Sequence, residues 1–345
     1  MTILAIETSC DDSSVAILRD RAVLSNLISS QPIHDDFGGI VPDLAAREHL
    51  KAIGPLTAAA LRAAEVDVNE IDAIAVTFGP GLHGSLVVGS NFAKALGLRL
   101  HRPVYPIHHI EAHLFSAFLE HPELPFPAVV LVVSGGHTSI FHVTSMTSAT
   151  VLGNTKDDAA GEAFDKIAKM MGLGYPGGPI IDGMAQKGQP DAITFPRGLL
   201  HDSSFDFSFS GLKTSVKYWL RDHGLRAEHR IDPLNADPRL YDVAASAQRA
   251  IVDVLVQKTL RAAERVSARS VAIVGGVSAT TELRRMMAAM CNANGLSFAV
   301  PSIQYSIDNA AMIGFLAAVR LAASAPAPTS FSVAPNGLRS RYTSS

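Results

Sequence analysis

Cysteine is scarce in this chain, with only Cys10 and Cys291 among 345 residues. So few thiols give no disulfide framework, and a reducing compartment fits. Aromatic residues make up 6% and there is a single tryptophan, so the cores must be built from aliphatic side chains and alanine. That bias accompanies α/β enzymes with parallel sheets. Charge of one sign is not in excess, since the formal net charge is −3. No global basic field recruits nucleic acid, and an RNA partner would need a local basic patch or a helper protein. No apolar run reaches membrane-spanning length; residues 310–325 are interrupted by Arg320 and read as a packed helix. The first residues lack a basic segment and a small-residue cleavage site, so no signal peptide and no membrane association are expected, and the protein is read as cytoplasmic. The Walker pattern G-x-x-x-x-G-K-[ST] is absent.

What is present is ample material for buried cores, with 48% apolar residues over a length that suggests two domains or two halves. Residues 3–7 (ILAIE) form a strand ending in a polar loop, 8–14, and 15–18 resume the apolar run. A helix follows over 41–64, a buried strand over 72–78, a Gly-Pro-Gly loop, and a helix over 85–98. A strand over 103–107 and a helix over 108–119 complete the first half. The second half repeats the plan. Strand 128–133, loop 134–138 and strand 139–143 are followed, after a long insertion, by strand 270–274, a Gly-Gly loop and a helix over 281–293. Strand 296–300 and a helix over 308–321 close it. The repeat is architectural, not a match of residues.

The fold class predicted is therefore α/β, two-lobed, of the kind shared by actin, heat-shock ATPases and sugar kinases. Duplicated sheet-plus-helices domains face each other across a cleft, and the carboxyl ends of the strands supply its ligand-binding loops. The expected boundaries are residues 1–126 for the first lobe and 127–323 for the second, with a helical and loop insertion at about 153–242. The last helix is a candidate to pack back on the first lobe, and 324–345 read as a frayed tail.

Five constellations carry chemistry. His109 and His113 stand at i and i+4, about 40° apart around a helix, a spacing that chelates one divalent ion. Glu111 lies two residues after the first histidine and on the other side of that helix, so the zinc-protease pattern H-E-x-x-H is not met. A third ligand must come from elsewhere; Asp308 follows the matching last strand of the second half and is expected across the cleft. The glycine loops 79–81, 134–138 and 275–278 let backbone N–H groups approach a phosphate or carboxylate, although tight turns explain most glycine pairs. In the acidic run 157–165, Asp157 and Asp158 suit ordinary helix capping, whereas Asp165 lies deep enough in a helix to reach a ribose hydroxyl. Gly178, in the rigid Tyr-Pro-Gly-Gly-Pro loop, suits close contact with a base or sugar, and Asp182 follows it. Asp11 and Asp12, after the first strand, suit orientation of a nucleophile or general-base work, or a simple turn. Cys10 reads as a packed small residue, because no cationic neighbour in sequence lowers its pKa. Alternating Phe205, Phe207 and Phe209 read as core. The cations that follow, Lys213, Lys217, Arg221, Arg226 and Arg230, are equally an RNA patch or a solvated helix face.

Taken in order, the segments IETSCD (6–11), GPG (79–81), HHIEAH (108–113), SGGHT (134–138), DAAGEAFD (158–165), YPGGP (175–179), FSFSGLKT (207–214) and GGVS (275–278) closely resemble one family. It is that of the bacterial tRNA N6-adenosine threonylcarbamoyltransferases (TsaD), formerly described as O-sialoglycoprotein endopeptidases. The resemblance implies transfer of a threonylcarbamoyl group from threonylcarbamoyl-AMP to N6 of adenine 37 in tRNAs that read codons starting with A. It implies one divalent metal per subunit, Fe(2+) with Zn(2+) as the alternative, on His109, His113 and Asp308. It places the adenylate on Val132, Val133, Ser134, Gly135 and Gly136, with Asp165, Gly178, Asp182 and Thr280, and it puts Asp11 and Asp12 in the catalytic position. A TsaB-like paralogue and a TsaE-like ATPase are the implied protein partners.

Two positions depart from the family pattern. Thr280 stands where Asn is usual, giving a shorter side chain that donates and accepts fewer hydrogen bonds. Asp12 stands where many members carry Glu, which sets the carboxylate about one methylene back. Three rival readings are an ATP-dependent small-molecule kinase of the same architecture, a metalloprotease, and a non-catalytic scaffold.

Overall fold

The computed structural model describes residues 1–37, 39–225, 229–323, 327–328 and 330–336. In chain order the elements are strands β1 (Thr2–Glu7), β2 (Asp12–Arg19) and β3 (Ala22–Ser30), helix α1 (Pro42–Ala63), β4 (Ala73–Gly79), α2 (His83–Leu100), β5 (Val104–His108), and helices α3 (His109–Phe115) and α4 (Ala117–Glu120). They continue with β6 (Ala128–Val133), β7 (Thr138–Ser145), β8 (Ser148–Asn154), α5 (Ala160–Met170), α6 (Gly177–Ala185), α7 (Ser210–Asp222), α8 (Pro238–Arg265), β9 (Ser270–Val274), α9 (Thr281–Ala293), β10 (Ser297–Ala299), α10 (Ile303–Ser306) and α11 (Ala310–Ala322). Among the described residues no helix is long and apolar enough to cross a membrane.

Two five-stranded sheets share one topology. The first runs β3-β2-β1-β4-β5, and the second, read from its other edge, β8-β7-β6-β9-β10. In each, an antiparallel three-stranded meander is extended by two parallel strands. The duplication read from the sequence is therefore a duplication of topology, and the α/β class of the actin and sugar-kinase kind holds for both sheets. The sequence reading lacked the third meander strands, β3 and β8. β3 is largely half-buried and polar at several positions, as an edge strand can be.

The chain divides into two compact units. The first joins Met1–Pro122 to the described residues from Pro301 onward. β1 is buried at every position, which explains its unbroken apolar run. Leu4, Ile6, Val15, Ile17, Ile74 and Val76 fill the core toward α1 and α2. α11 covers other strand residues of the same sheet; a Cβ on Gly314 would lie 2.2 Å from Leu18 Cδ1, so glycine sets that close approach. The last helix thus belongs to the first unit, where its apolar face is buried.

Part of the expected tail is also ordered against this unit. Ala334 N–H donates to Phe78 O (2.8 Å), Gly81 N–H to Pro335 O (3.0 Å), and Lys94 Nζ donates to Phe331 O (2.8 Å) beneath the Phe331 ring. The rest of that tail, 324–326, 329 and 337–345, lies outside the described residues.

The second unit spans Glu123–Val300. Its core packs β6 and β9 with α5, α7 and the 28-residue α8. α8 starts at Pro238 after Asp237, whose side chain accepts from Arg239 N–H. Phe207 and Phe209 are buried and stacked, as core residues should be. Two motifs are tied together here. Asp157 accepts hydrogen bonds from Ser208 Oγ, Phe209 N, Ser210 N and Ser210 Oγ, so it caps α7 from outside. Asp158 bridges Lys166 and Lys213. Lys213 is accordingly engaged, Lys217 and Arg221 are exposed on α7, Arg230 is exposed beyond it, and Arg226 lies outside the described residues.

Candidate functional site

The histidine pair begins where β5 ends. His109 is the first residue of α3 and His113 follows one turn later, both buried, with ring centroids 4.6 Å apart and perpendicular. His113 Nε2 lies 2.9 Å and His109 Nε2 3.6 Å from Asp308 Oδ1. Asp308 immediately precedes Asn309, whose side chain caps α11 by accepting from Met312 N–H. The expected third ligand is therefore at hand, but not from the opposite half. Asp308 belongs to the same unit as the histidines, because the segment from Pro301 folds with the first sheet.

Glu7 completes the cluster. It is the last residue of β1, fully buried, and its carboxylate accepts from Ser9 N–H, Thr77 Oγ and His109 Nδ1, the last at 3.0 Å. Sequence reasoning took it as the end of an apolar strand. The only signal was an acidic residue closing a wholly apolar run; its partners stand 70 and 102 positions away.

The electrostatics suit a cation. Burial disfavours the charged form of His109, but Asp308 and Glu7 outweigh it and hold its pKa up to about 9. Burial would raise Glu7, yet His109 holds it below the usual carboxylate range. Asp12 is pushed up to about 6, first by burial and then by the negative charges of Asp11, Asp308 and Glu7, against a hydrogen bond from Ser30. It opens β2 rather than lying in the loop. Burial and Asp11 push the Cys10 thiol up, away from thiolate chemistry, as its reading as a packed residue requires. Glu111 is buried and ion-paired with Arg320, so it cannot act as a protease base.

Two imidazoles and a carboxylate whose ligand atoms lie within 4.8 Å of one another can hold one divalent ion. The set fits ferrous iron or zinc. Glu7 and Asp308 stand against the two histidines, Asp12 is close enough to feel both carboxylates, and His113 Nδ1 is buried with no partner among the described residues; this is a costly arrangement that a bound cation would offset.

The second unit gathers the remaining candidates. Val132 and Val133 are fully buried and end β6, so only their backbone can reach a ligand. The turn Ser134–His137 closes through Ser134 N–H to His137 O (2.8 Å). A Cβ on Gly161 would lie 2.6 Å from Ser134 O, so the start of α5 abuts this turn, and a Cβ on Gly275 would lie 2.5 Å from Val133 O. The two glycine loops thus meet at the end of β6. Among the described residues, no atom beyond the chain neighbours lies within 4 Å of a Cβ position on Gly135, Gly136 or Gly276, so internal packing does not demand glycine at these three sites. The third loop differs: Gly81 N–H is engaged by Pro335, and a Cβ on Gly79 would meet Ala334 O at 2.0 Å.

Asp165 accepts from Gly177 N–H (2.7 Å) at the start of α6, and burial raises its pKa. Gly178 has open space at its Cβ position. Asp182, one turn on, accepts from Gln248 Nε2 and from Thr281 N and Oγ. It supplies the cap of α9 that Thr280, the N-cap residue, does not make with its own side chain. Asp182 and Thr280 are thereby brought side by side.

Comparison with known proteins bears on the family and the fold. A family model described as tRNA N6-adenosine threonylcarbamoyltransferase (TsaD) matches residues 22–315. A relative from Salinibacter ruber, named tRNA N6-adenosine threonylcarbamoyltransferase, is 48% identical over 339 residues, covering 97% of this chain and 99% of that one. Two solved structures share the fold at low identity. HypF of T. kodakarensis has TM-score 0.61 at 14% identity, over 93% of this chain and 48% of its own. Component A of the Acidaminococcus fermentans (R)-2-hydroxyglutaryl-CoA dehydratase has TM-score 0.53 at 17% identity, over 94% and 99%. On the family match and the full-length relative, the chain belongs to the tRNA N6-adenosine threonylcarbamoyltransferases, transferases that modify tRNA.

Proposed function

We propose that the protein transfers the threonylcarbamoyl group of threonylcarbamoyl-AMP to N6 of adenine 37 in tRNAs that read codons starting with A, releasing AMP. The observation that carries this reading is that, in a chain of this family, the buried His109 and His113 and the half-buried Asp308 come together with their ligand atoms within 4.8 Å.

The donor is a mixed anhydride with AMP as leaving group. Its phosphate suits the turn at Ser134, Gly135 and Gly136, where strand-end backbone from Val132 and Val133 meets the positive end of α5. Gly178 leaves room for the sugar, and Asp165, already fixed by Gly177, is the carboxylate for its hydroxyls. Asp182 and Thr280 flank the base. His109, His113 and Asp308 would hold the metal, ferrous iron with zinc as the alternative; when bound it supplies Lewis-acid polarisation of donor oxygens. Asp11 or Asp12 takes the proton from the attacking amine. A carboxyl with pKa about 6 is matched to that work near neutrality.

A cytoplasmic enzyme working with a TsaB-like paralogue and a TsaE-like ATPase is the corresponding setting. The kinase reading is not favoured by the family match, and the scaffold reading is disfavoured by the intact cluster. Incubation with pre-formed threonylcarbamoyl-AMP tests the proposal: AMP release should require unmodified tRNA. Release of ADP from ATP with a small-molecule acceptor instead would overturn it.

A further inference from the structure

We propose that Glu7 is a positioning residue for metal binding, which fixes His109 as a ligand through Nε2; this rests on the reading of His109, His113 and Asp308 as metal ligands. A histidine can bind a metal through either ring nitrogen, and the hydrogen bond at the other nitrogen decides which. Here the choice is built in. Glu7 Oε2 stands 3.0 Å from His109 Nδ1, while His109 Nε2 faces Asp308. The carboxylate cannot turn away, because Ser9 N–H and Thr77 Oγ donate to its two oxygens and it is fully buried at the end of β1. It accepts from three donors and has none of its own, so the proton of the metal-bound imidazole is held at Nδ1. Ser9 Oγ, 3.2 Å from the same nitrogen, accompanies this bond without dictating it, since a hydroxyl both donates and accepts. His113 has no such support, as its Nδ1 has no partner among the described residues. Glu7 therefore carries the orientation of the cluster.

Glu7→Gln is nearly isosteric but replaces one acceptor oxygen by an NH2 group. Whichever way the amide lies, at least one of the three donors meets another donor: Ser9 N–H at one oxygen position, or Thr77 Oγ and His109 Nδ1 at the other. Zn(2+) affinity would be measured for wild type, Glu7→Gln and Ser9→Ala in chelator-buffered zinc at pH 9, where the proton on His109 weakens wild-type binding by only about twofold. We expect Glu7→Gln to bind about 10–100-fold more weakly, and Ser9→Ala to stay within a few-fold of wild type. On Zn(2+)-loaded wild type, NMR of histidine-labelled protein should show a slowly exchanging proton on His109 Nδ1. This second readout needs no variant to fold. Equal affinity of Glu7→Gln and wild type, or an unprotonated His109 Nδ1, would overturn the role of Glu7 and leave the metal site standing. Failure of wild type to bind zinc would overturn both.

Discussion

Asp12 is charged at neutral pH at a cost to the fold, and removing that charge should stabilise the protein. Its pKa stands at about 6 against an ordinary 3.8, for reasons of burial and of the nearby Asp11, Asp308 and Glu7. A raised carboxyl binds its proton more tightly in the folded state, so stability falls as pH rises between the two values. Above about pH 7 nearly the whole penalty is present. The shift corresponds to roughly 3 kcal/mol at pH 7.5, and to about half of that at pH 5. Asp12→Asn keeps an oxygen to accept the Ser30 hydrogen bond and loses only the charge. Metal-free wild type and variant would be unfolded in urea and followed by circular dichroism, because the single tryptophan, Trp219, sits in the second unit and reports on the wrong one. The variant should be more stable by about 1–3 kcal/mol at pH 7.5, with the gain shrinking at pH 5. Unchanged or lower stability at pH 7.5, or a gain independent of pH, would refute the reasoning.

Two further outcomes follow from the second unit and the glycine loops. Asp157→Ala should destabilise the second unit by about 1–2 kcal/mol, since it removes an acceptor of four hydrogen bonds at the start of α7. Burial would raise the Asp157 pKa, but those bonds hold it below the usual range, so its contribution is present above the ordinary carboxylate pKa and is lost as pH falls below it. Trp219 fluorescence, on α7 itself, reads this directly. Gly79→Ala and Gly136→Ala should separate packing from ligand binding. The first drives a methyl against Ala334 O at positive φ and should cost about 1–3 kcal/mol. The second meets none of the described residues beyond its chain neighbours, and should leave the melting temperature unchanged while raising the KM for threonylcarbamoyl-AMP.

The sheets and helices were readable because each rests on a local pattern. The buried strands 128–133 and 270–274 and the helix 281–293 emerge with the bounds expected from their apolar runs and flanking glycines. The i, i+4 spacing alone pairs His109 with His113. What the sequence hid depends on contacts between distant positions. Glu7 reads as the polar end of a strand until β4 and α3 bring Thr77 and His109 to it. Chain order follows the repeat and so points Asp308 to the opposite half, whereas the segment from Pro301 folds with the first sheet. The tail read as frayed because Ala, Pro and Ser carry no periodicity. Its anchoring is backbone to backbone at Phe78 and Gly81, which composition cannot show.

In the proposed reaction a metal held by His109, His113 and Asp308 serves threonylcarbamoyl transfer to tRNA. Its most direct test is single-turnover transfer from pre-formed threonylcarbamoyl-AMP to unmodified tRNA, with the TsaB-like and TsaE-like proteins present. Metal-reconstituted wild type would be compared with His109→Ala, and folding of both checked by circular dichroism. Wild type should yield modified adenosine, and the folded variant should lose about 100-fold or more and bind no metal. Full transfer by a folded, metal-free His109→Ala would contradict it.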